Sequence, residues 1–272
     1  MRFLFFICLA ALFSACNSSS SKKDPRQAMD DSAGMPARLN DSGGNNPPAN
    51  TTASVTIEPV KITAADIPAS IKIKGKVQEV WKWNDNQGEN ILITSYVAPF
   101  NDKEKNKYGE EGQTAELYAF HYAKKDGDYI QIWTMSDTEK SCPFDITCEF
   151  PKGSTTITDL DKDGIPEIKV QYIIACRSDV SPADMRLNMY ENGRLYMLRG
   201  STWIPYSPEF KFEVTENNVN LEKLLPPKDE TDAMLRSFGR YENENDFAAA
   251  PPEFIAFARR EWLKYCREKM GE

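Results

Sequence analysis

The 272-residue chain has one histidine, six cysteines and no apolar run long enough to cross a bilayer as a helix. A spanning helix takes about 20 consecutive apolar residues; the run from Phe3 to Phe13 has eleven. With a single histidine, His121, a histidine-built metal site is excluded. A Ser-His or Cys-His nucleophile would need a partner placed by motif, and none accompanies it, so His121 reads as a half-buried strand residue. Basic residues are outnumbered, 33 Lys and Arg against 41 Asp and Glu. The formal net charge is −8 and no Lys/Arg cluster interrupts it, which leaves no electrostatic footprint for nucleic acid. Acidity of this kind suits cations or basic partners better.

What is present begins with a leader. Met1 to Ala15, with Arg2 ahead of the apolar run, has the form of a secretory signal. The segment Leu12-Phe13-Ser14-Ala15-Cys16 resembles the lipobox of bacterial lipoproteins. That resemblance implies lipid on Cys16 as the first mature residue and membrane attachment without a spanning helix, since about two acyl chains give a stable anchor. The expected location is the cell envelope, as an outer-membrane lipoprotein facing the periplasm or the surface. Residues 17–55 are rich in Ser, Asn, Asp, Gly and Pro; too little apolar surface can be buried there to offset ordering, which predicts a disordered linker. A flexible tether of that length has a root-mean-square span of about 35 Å.

Residues 56–272 are long enough for one β-rich globular domain. Val77–Trp83 and Ile91–Val97, Leu117–Tyr122 and Tyr129–Met135, and Arg186–Tyr190 and Arg194–Leu198 read as strand pairs. Asp126-Gly127 and Asn192-Gly193 supply hairpin chemistry that needs positive φ. Ile168, Val170, Tyr172 and Ile174 alternate with Lys169 and Gln171, the pattern of a half-buried strand. Two helices close the chain. Ala233–Phe238 stops at Gly239, and a longer one opens at Pro251-Pro252 and runs from Phe254 to Met270. The predicted fold is mainly β: an antiparallel, hairpin-built sheet, sandwich or partly propeller-like, with a C-terminal α-helix. Trp81, Trp83 and Trp133 read as core strand residues before they read as sugar-stacking platforms.

The most distinctive stretch is Asp159-Leu-Asp161-Lys-Asp163-Gly164-Ile-Pro-Glu167. Carboxylates at relative positions 1, 3, 5 and 9, with glycine at 6, can wrap oxygen ligands around a hard cation. Asp159, Asp161 and Asp163 would each give a side-chain oxygen, Ile165 its carbonyl, and Glu167 a direct or water-mediated ligand, so the expected cofactor is a structural Ca2+. Val170 stands where an EF-hand has its bidentate glutamate, and the flanks have strand rather than helix periodicity. The motif instead resembles the calcium hairpins of FG-GAP and VCBS repeats. Asn84–Asn90 is a shortened echo of it, with only Asp85 and Glu89 as carboxylates.

Without Cys8 and Cys16, four cysteines remain: Cys142, Cys148, Cys176 and Cys266. An even number in an exported domain predicts disulfides, with three connectivities open, and one at Cys266 would pin the terminal helix to the sheet. Trp83-x-Asp85-x-x-Gly88-x-Asn90, Cys142-Pro-x-Asp145-x-Thr147, the aspartate stretch, Cys176-Arg-Ser-Asp179-Val-Ser-Pro182 and Arg199-Gly200 together resemble a bacterial lipoprotein family usually labelled surface polysaccharide biosynthesis protein. The resemblance implies an envelope protein linked to surface polysaccharide and brings no catalytic residues with it. It also implies a Cys142–Cys176 bridge, leaving Cys148 and Cys266 for a second. The expected role is non-enzymatic binding of a glycan or an envelope protein. The alternative is a carbohydrate-active enzyme using two carboxylates, which no motif singles out.

Overall fold

The computed structural model describes residues 56–269 apart from 104, 106–108 and 207–210; the leader, Cys16 and the linker lie outside the described residues. Among the described residues, ten strands form two antiparallel sheets. Sheet 1 is a meander in chain order, β1 (Val60–Ile62), β2 (Lys76–Asp85), β3 (Gly88–Asn101), β4 (Gln113–Lys125) and β5 (Asp128–Cys142). Sheet 2 runs β10 (Arg194–Ser201), β9 (Asp184–Glu191), β8 (Glu167–Arg177), β6 (Asp145–Glu149), and β7 (Thr156–Thr158) pairs with the beginning of β8. The predicted hairpins form where two-residue turns allow them. Asp126 and Gly127, and Asn192 and Gly193, all adopt positive φ, as the turn that matches strand twist requires.

The two sheets pack face to face over a common core. Trp83, Leu92, Leu117 and Met135 from sheet 1 meet Ile168, Val170, Tyr172 and Tyr190 from sheet 2. A second core lies on the other side of sheet 2, where Met185, Leu187, Met189 and Leu198 pack against α2 (Pro252–Tyr265) and the segments leading to it. Phe254, Ala258, Trp262 and Cys266 recur every fourth residue and are all fully buried, the apolar stripe that docks this helix. Each large side chain in it contributes about 1.5–3 kcal/mol by leaving water. A smaller cluster, including Ile71, Ile91, Ile93 and Phe120, covers the outer face of sheet 1. The mainly β class with a C-terminal helix is thus the observed one. The shorter α1 (Glu230–Ser237) ends before Gly239, whose φ is +76°.

Three expectations are corrected. The strand β8 is not half-buried: Lys169 and Gln171, which should face water, are 0% exposed, because the α2 layer covers the face that alternation had assigned to solvent. Lys169 ends between the rings of Phe257 and Tyr265 and pairs with Glu261 of α2. Burial pulls its ammonium down to about 8, while the Glu261 carboxylate opposes that shift. The Cys148–Cys266 bridge is absent: Cys148 belongs to the core between the sheets and Cys266 to the core under α2, both as buried thiols. Burial raises each to about 12. The helix is therefore pinned by apolar packing and the Lys169–Glu261 pair rather than by a disulfide. The Cys142–Cys176 bridge does form, with Cα atoms 5.5 Å apart, and joins the end of β5 in sheet 1 to β8 in sheet 2.

Replacing Glu261 with Ala leaves a buried ammonium without its carboxylate, a change that typically costs about 3–5 kcal/mol. Replacing Lys169 with Met puts an apolar chain of similar length between the same two rings and should cost far less. Urea denaturation of the two variants measures the difference; equal losses would refute a role for the ion pair in holding α2.

Candidate functional site

The aspartate loop joins β7 to β8, two neighbouring antiparallel strands whose pairing of Thr158 with Glu167 closes its base. Within it the backbone amides orient the carboxylates. The amide of Gly164 donates to Asp159 Oδ1 at 3.4 Å, that of Asp163 to Asp161 Oδ1 at 3.2 Å, and that of Ile165 to Asp163 Oδ1 at 2.7 Å. Glu167 is 0% exposed and accepts from the Leu160 amide at 3.0 Å and the Thr158 hydroxyl at 2.9 Å. Burial pushes its carboxyl up to about 7 against the pull of those donors. Burial, and then the neighbouring Asp163 and Asp159, also raise Asp161.

Oxygens of Asp159, Asp161 and Glu167 lie within 4.8 Å of one another, and so do oxygens of Asp161, Asp163 and Glu191. The four predicted carboxylates are therefore brought together, in two groups that share Asp161. Glu191 was missed as a ligand candidate. It ends β9 immediately before the Asn192-Gly193 turn, and a hairpin tip offers no spacing signal toward a loop some thirty residues earlier. Its carboxyl is raised by burial and by Asp161 and Asp163, and its Oε1 is buried without a hydrogen-bond partner.

The echo of the motif takes a different part. Asp85 is occupied by the Trp83 indole N–H at 3.2 Å, the Asn90 amide at 2.9 Å and the Gln87 backbone at 2.8 Å, while Glu89 pairs with Lys82 and Tyr129. Between them Asn86 docks on the aspartate loop. Its side chain donates to the Asp163 carbonyl at 3.1 Å, and its backbone amide to the Gly164 carbonyl at 3.3 Å. Gly164 has φ +82°, and a Cβ added there would sit 2.0 Å from the Asn86 side-chain nitrogen. Conformation and contact both require glycine.

His121 is held in the strand-residue role. It stacks on Trp83 with centroids 5.3 Å apart, meets Trp133 at 5.5 Å and shares a 2.9 Å hydrogen bond with Asn90 Oδ1. Burial lowers it to about 4, which keeps the imidazole neutral at physiological pH. Trp83 is buried, and one face of Trp133 is taken by the ring of Tyr190, 3.9 Å away in a stacked pair. Trp81 packs against the same core and carries Lys61 over its ring. Comparison with protein-family profiles, curated proteins and solved structures returns no match to this chain.

Two outcomes test this geometry. Gly164→Ala should destabilise by more than the roughly 1 kcal/mol of an ordinary glycine replacement, because positive φ and the Asn86 contact add to it; a thermal melt decides. Glu167 has a folded-state pKa of about 7, above its unfolded value, so its contribution to stability is complete at low pH and lost as pH rises through 7. In chelator, stability should fall from pH 5 to pH 7.5, and Glu167→Gln should flatten that slope; an unchanged slope refutes the assignment.

Proposed function

We propose that this chain is an envelope-anchored lipoprotein whose β domain is clamped by calcium in the Asp159–Glu167 loop and binds a glycan or an envelope protein without catalysing a reaction. The observation that carries the calcium reading is the convergence of Asp159, Asp161 and Glu167 on one point, with Asp161, Asp163 and Glu191 beside it. Such oxygens fit a hard cation that takes six to eight oxygen ligands. Asp159, Asp161, Asp163 and Glu167, with the Ile165 carbonyl, would hold the ion, and Glu191 supplies a carboxylate from the neighbouring hairpin. The ion would offset the mutual repulsion of these groups and supply positive charge beside three carboxyls, Asp161, Glu167 and Glu191, that burial otherwise holds toward the neutral form.

The envelope half of the reading rests on the leader, the Cys16 lipobox and the family resemblance. A disulfide between Cys142 and Cys176 fits an oxidising compartment. Trp83, Trp133 and the carboxylates of Asp85, Glu89 and Glu261 are engaged in packing and ion pairs, which supports a binding or structural role over the two-carboxylate enzyme.

The test is a thermal melt in chelator followed by calcium. The midpoint should rise with calcium, by mass action on the native state, and should not move in Asp161→Ala/Asp163→Ala. Glu191→Gln should weaken the response without abolishing it. A midpoint indifferent to calcium in the unsubstituted protein refutes the clamp and leaves the envelope reading to the anchor alone.

A further inference from the structure

Sheet 1 outruns sheet 2 at the end of the sandwich away from the acidic loop. β3 and β4 have fourteen and thirteen residues, whereas β6, which lies against β4, has five. Along the inner face of β3, Leu92 is sealed in the core between the sheets, while Tyr96 is half-buried at its margin. Past that margin lies a trough of about 510 Å³, open to solvent. Lys76, Gln78 and Tyr96 line it from sheet 1, Thr147, Glu149 and Phe150 line it from β6 and the residue after it, and Leu117 forms its floor. Small-molecule sites commonly occupy about 300–1,000 Å³. β2 starts at the trough with Lys76 and ends at Asp85, next to the Asn86 that docks on the acidic loop. About 30 Å of strand separates the two places.

The polar groups of the trough are uncommitted. Among the described residues, the side chains of Lys76, Gln78, Thr147 and Glu149 make no hydrogen bond or ion pair, and neither does the Tyr96 hydroxyl. On the same sheet Lys61, Lys82 and Lys124 each pair with a glutamate. Glu149 does come close to Tyr96: burial raises that phenol, and the Cys148 and Glu149 side chains raise it further. The set holds an ammonium that only donates, a carboxylate that only accepts, and an amide and two hydroxyls that do both. One positive and one negative charge cancel. Tyr96 and Phe150 bring an aromatic ring to each wall.

We propose that this trough binds a short neutral saccharide, whose hydroxyls meet the uncommitted donors and acceptors while a C–H face rests on Tyr96 or Phe150. A ligand with donors and acceptors around its rim matches a lining that has both. An acyl chain would take water from those groups and leave them unpaired. A charged glycan would set its charge against Lys76 or Glu149, whichever has the same sign. The proposal rests on the reading of the domain as a binder and narrows its partner to a glycan.

The test screens the full chain against an array of neutral and uronic-acid-bearing saccharides, then titrates the best neutral binder by calorimetry. At least one neutral saccharide should bind, with an affinity little changed by salt because no net charge is matched. Gln78→Ala and Tyr96→Ala should each weaken it about tenfold, and Tyr96→Phe less, because the ring remains. Lys125→Ala, at the far end of β4 from Leu117, should leave it unchanged. The Gln78 side chain is exposed, so the near-ultraviolet circular dichroism of Gln78→Ala should match that of the unsubstituted chain and separate lost binding from misfolding. A preference for uronic acids overturns the neutral assignment. Neutral binding indifferent to both Gln78→Ala and Tyr96→Ala overturns the trough and leaves the domain a glycan binder elsewhere. Binding to no saccharide overturns the inference together with the glycan half of that reading, and leaves the envelope-protein half.

Discussion

The structure depends on one constraint, that β8 is closed to water on both faces. Ile168, Val170, Tyr172 and Ile174 supply the core between the sheets, while Lys169, Gln171 and Ile173 face the layer beneath α2. A strand covered on both sides must place every polar atom on that second face against a partner, since an unpaired one costs about 1–3 kcal/mol. Lys169 meets this through Glu261 and two aromatic rings; the Gln171 side chain meets it only by half, its Nε2 donating to the Met185 sulfur while its Oε1 is buried without a partner. The same strand begins with Glu167 and carries Cys176 near its end. One element therefore links the acidic loop, the disulfide to sheet 1 and the dock for the last helix.

The acidic loop is built by cooperation between distant parts of the chain. Its own amides turn the aspartates inward, Asn86 reaches it from the β2–β3 turn, and Glu191 closes it from the β9–β10 turn. Three separate turns thus gather at one end of the sandwich. The carboxyls of Asp161, Glu167 and Glu191 are all raised there, by burial first. Carboxylates are thus gathered where solvation is reduced.

Much of this was legible in the chain because local signals suffice for it. Asp126-Gly127 and Asn192-Gly193 fix their hairpins, and the spacing of Phe254, Ala258, Trp262 and Cys266 fixes the buried face of α2. The aspartates announce their loop by spacing alone. What could not be read were properties that depend on which layer covers which. Period-two alternation in β8 assigns Lys169 to water and carries no information about a helix some ninety residues later. Glu191 has no spacing relation to the loop it joins. Cys148 and Cys266 could be counted but not placed, and only the packing shows that they belong to separate cores.

That separation has a practical meaning. The core between the sheets and the core under α2 each hold one thiol, and each thiol is buried with its ionisation suppressed, so alkylation is slow until that particular core opens. Cys148 reports on the contact between the sheets, and Cys266 on the seating of the terminal helix. The molecule carries two independent clocks for local opening, and comparing their rates would resolve whether the helix layer leaves before the sandwich comes apart or together with it.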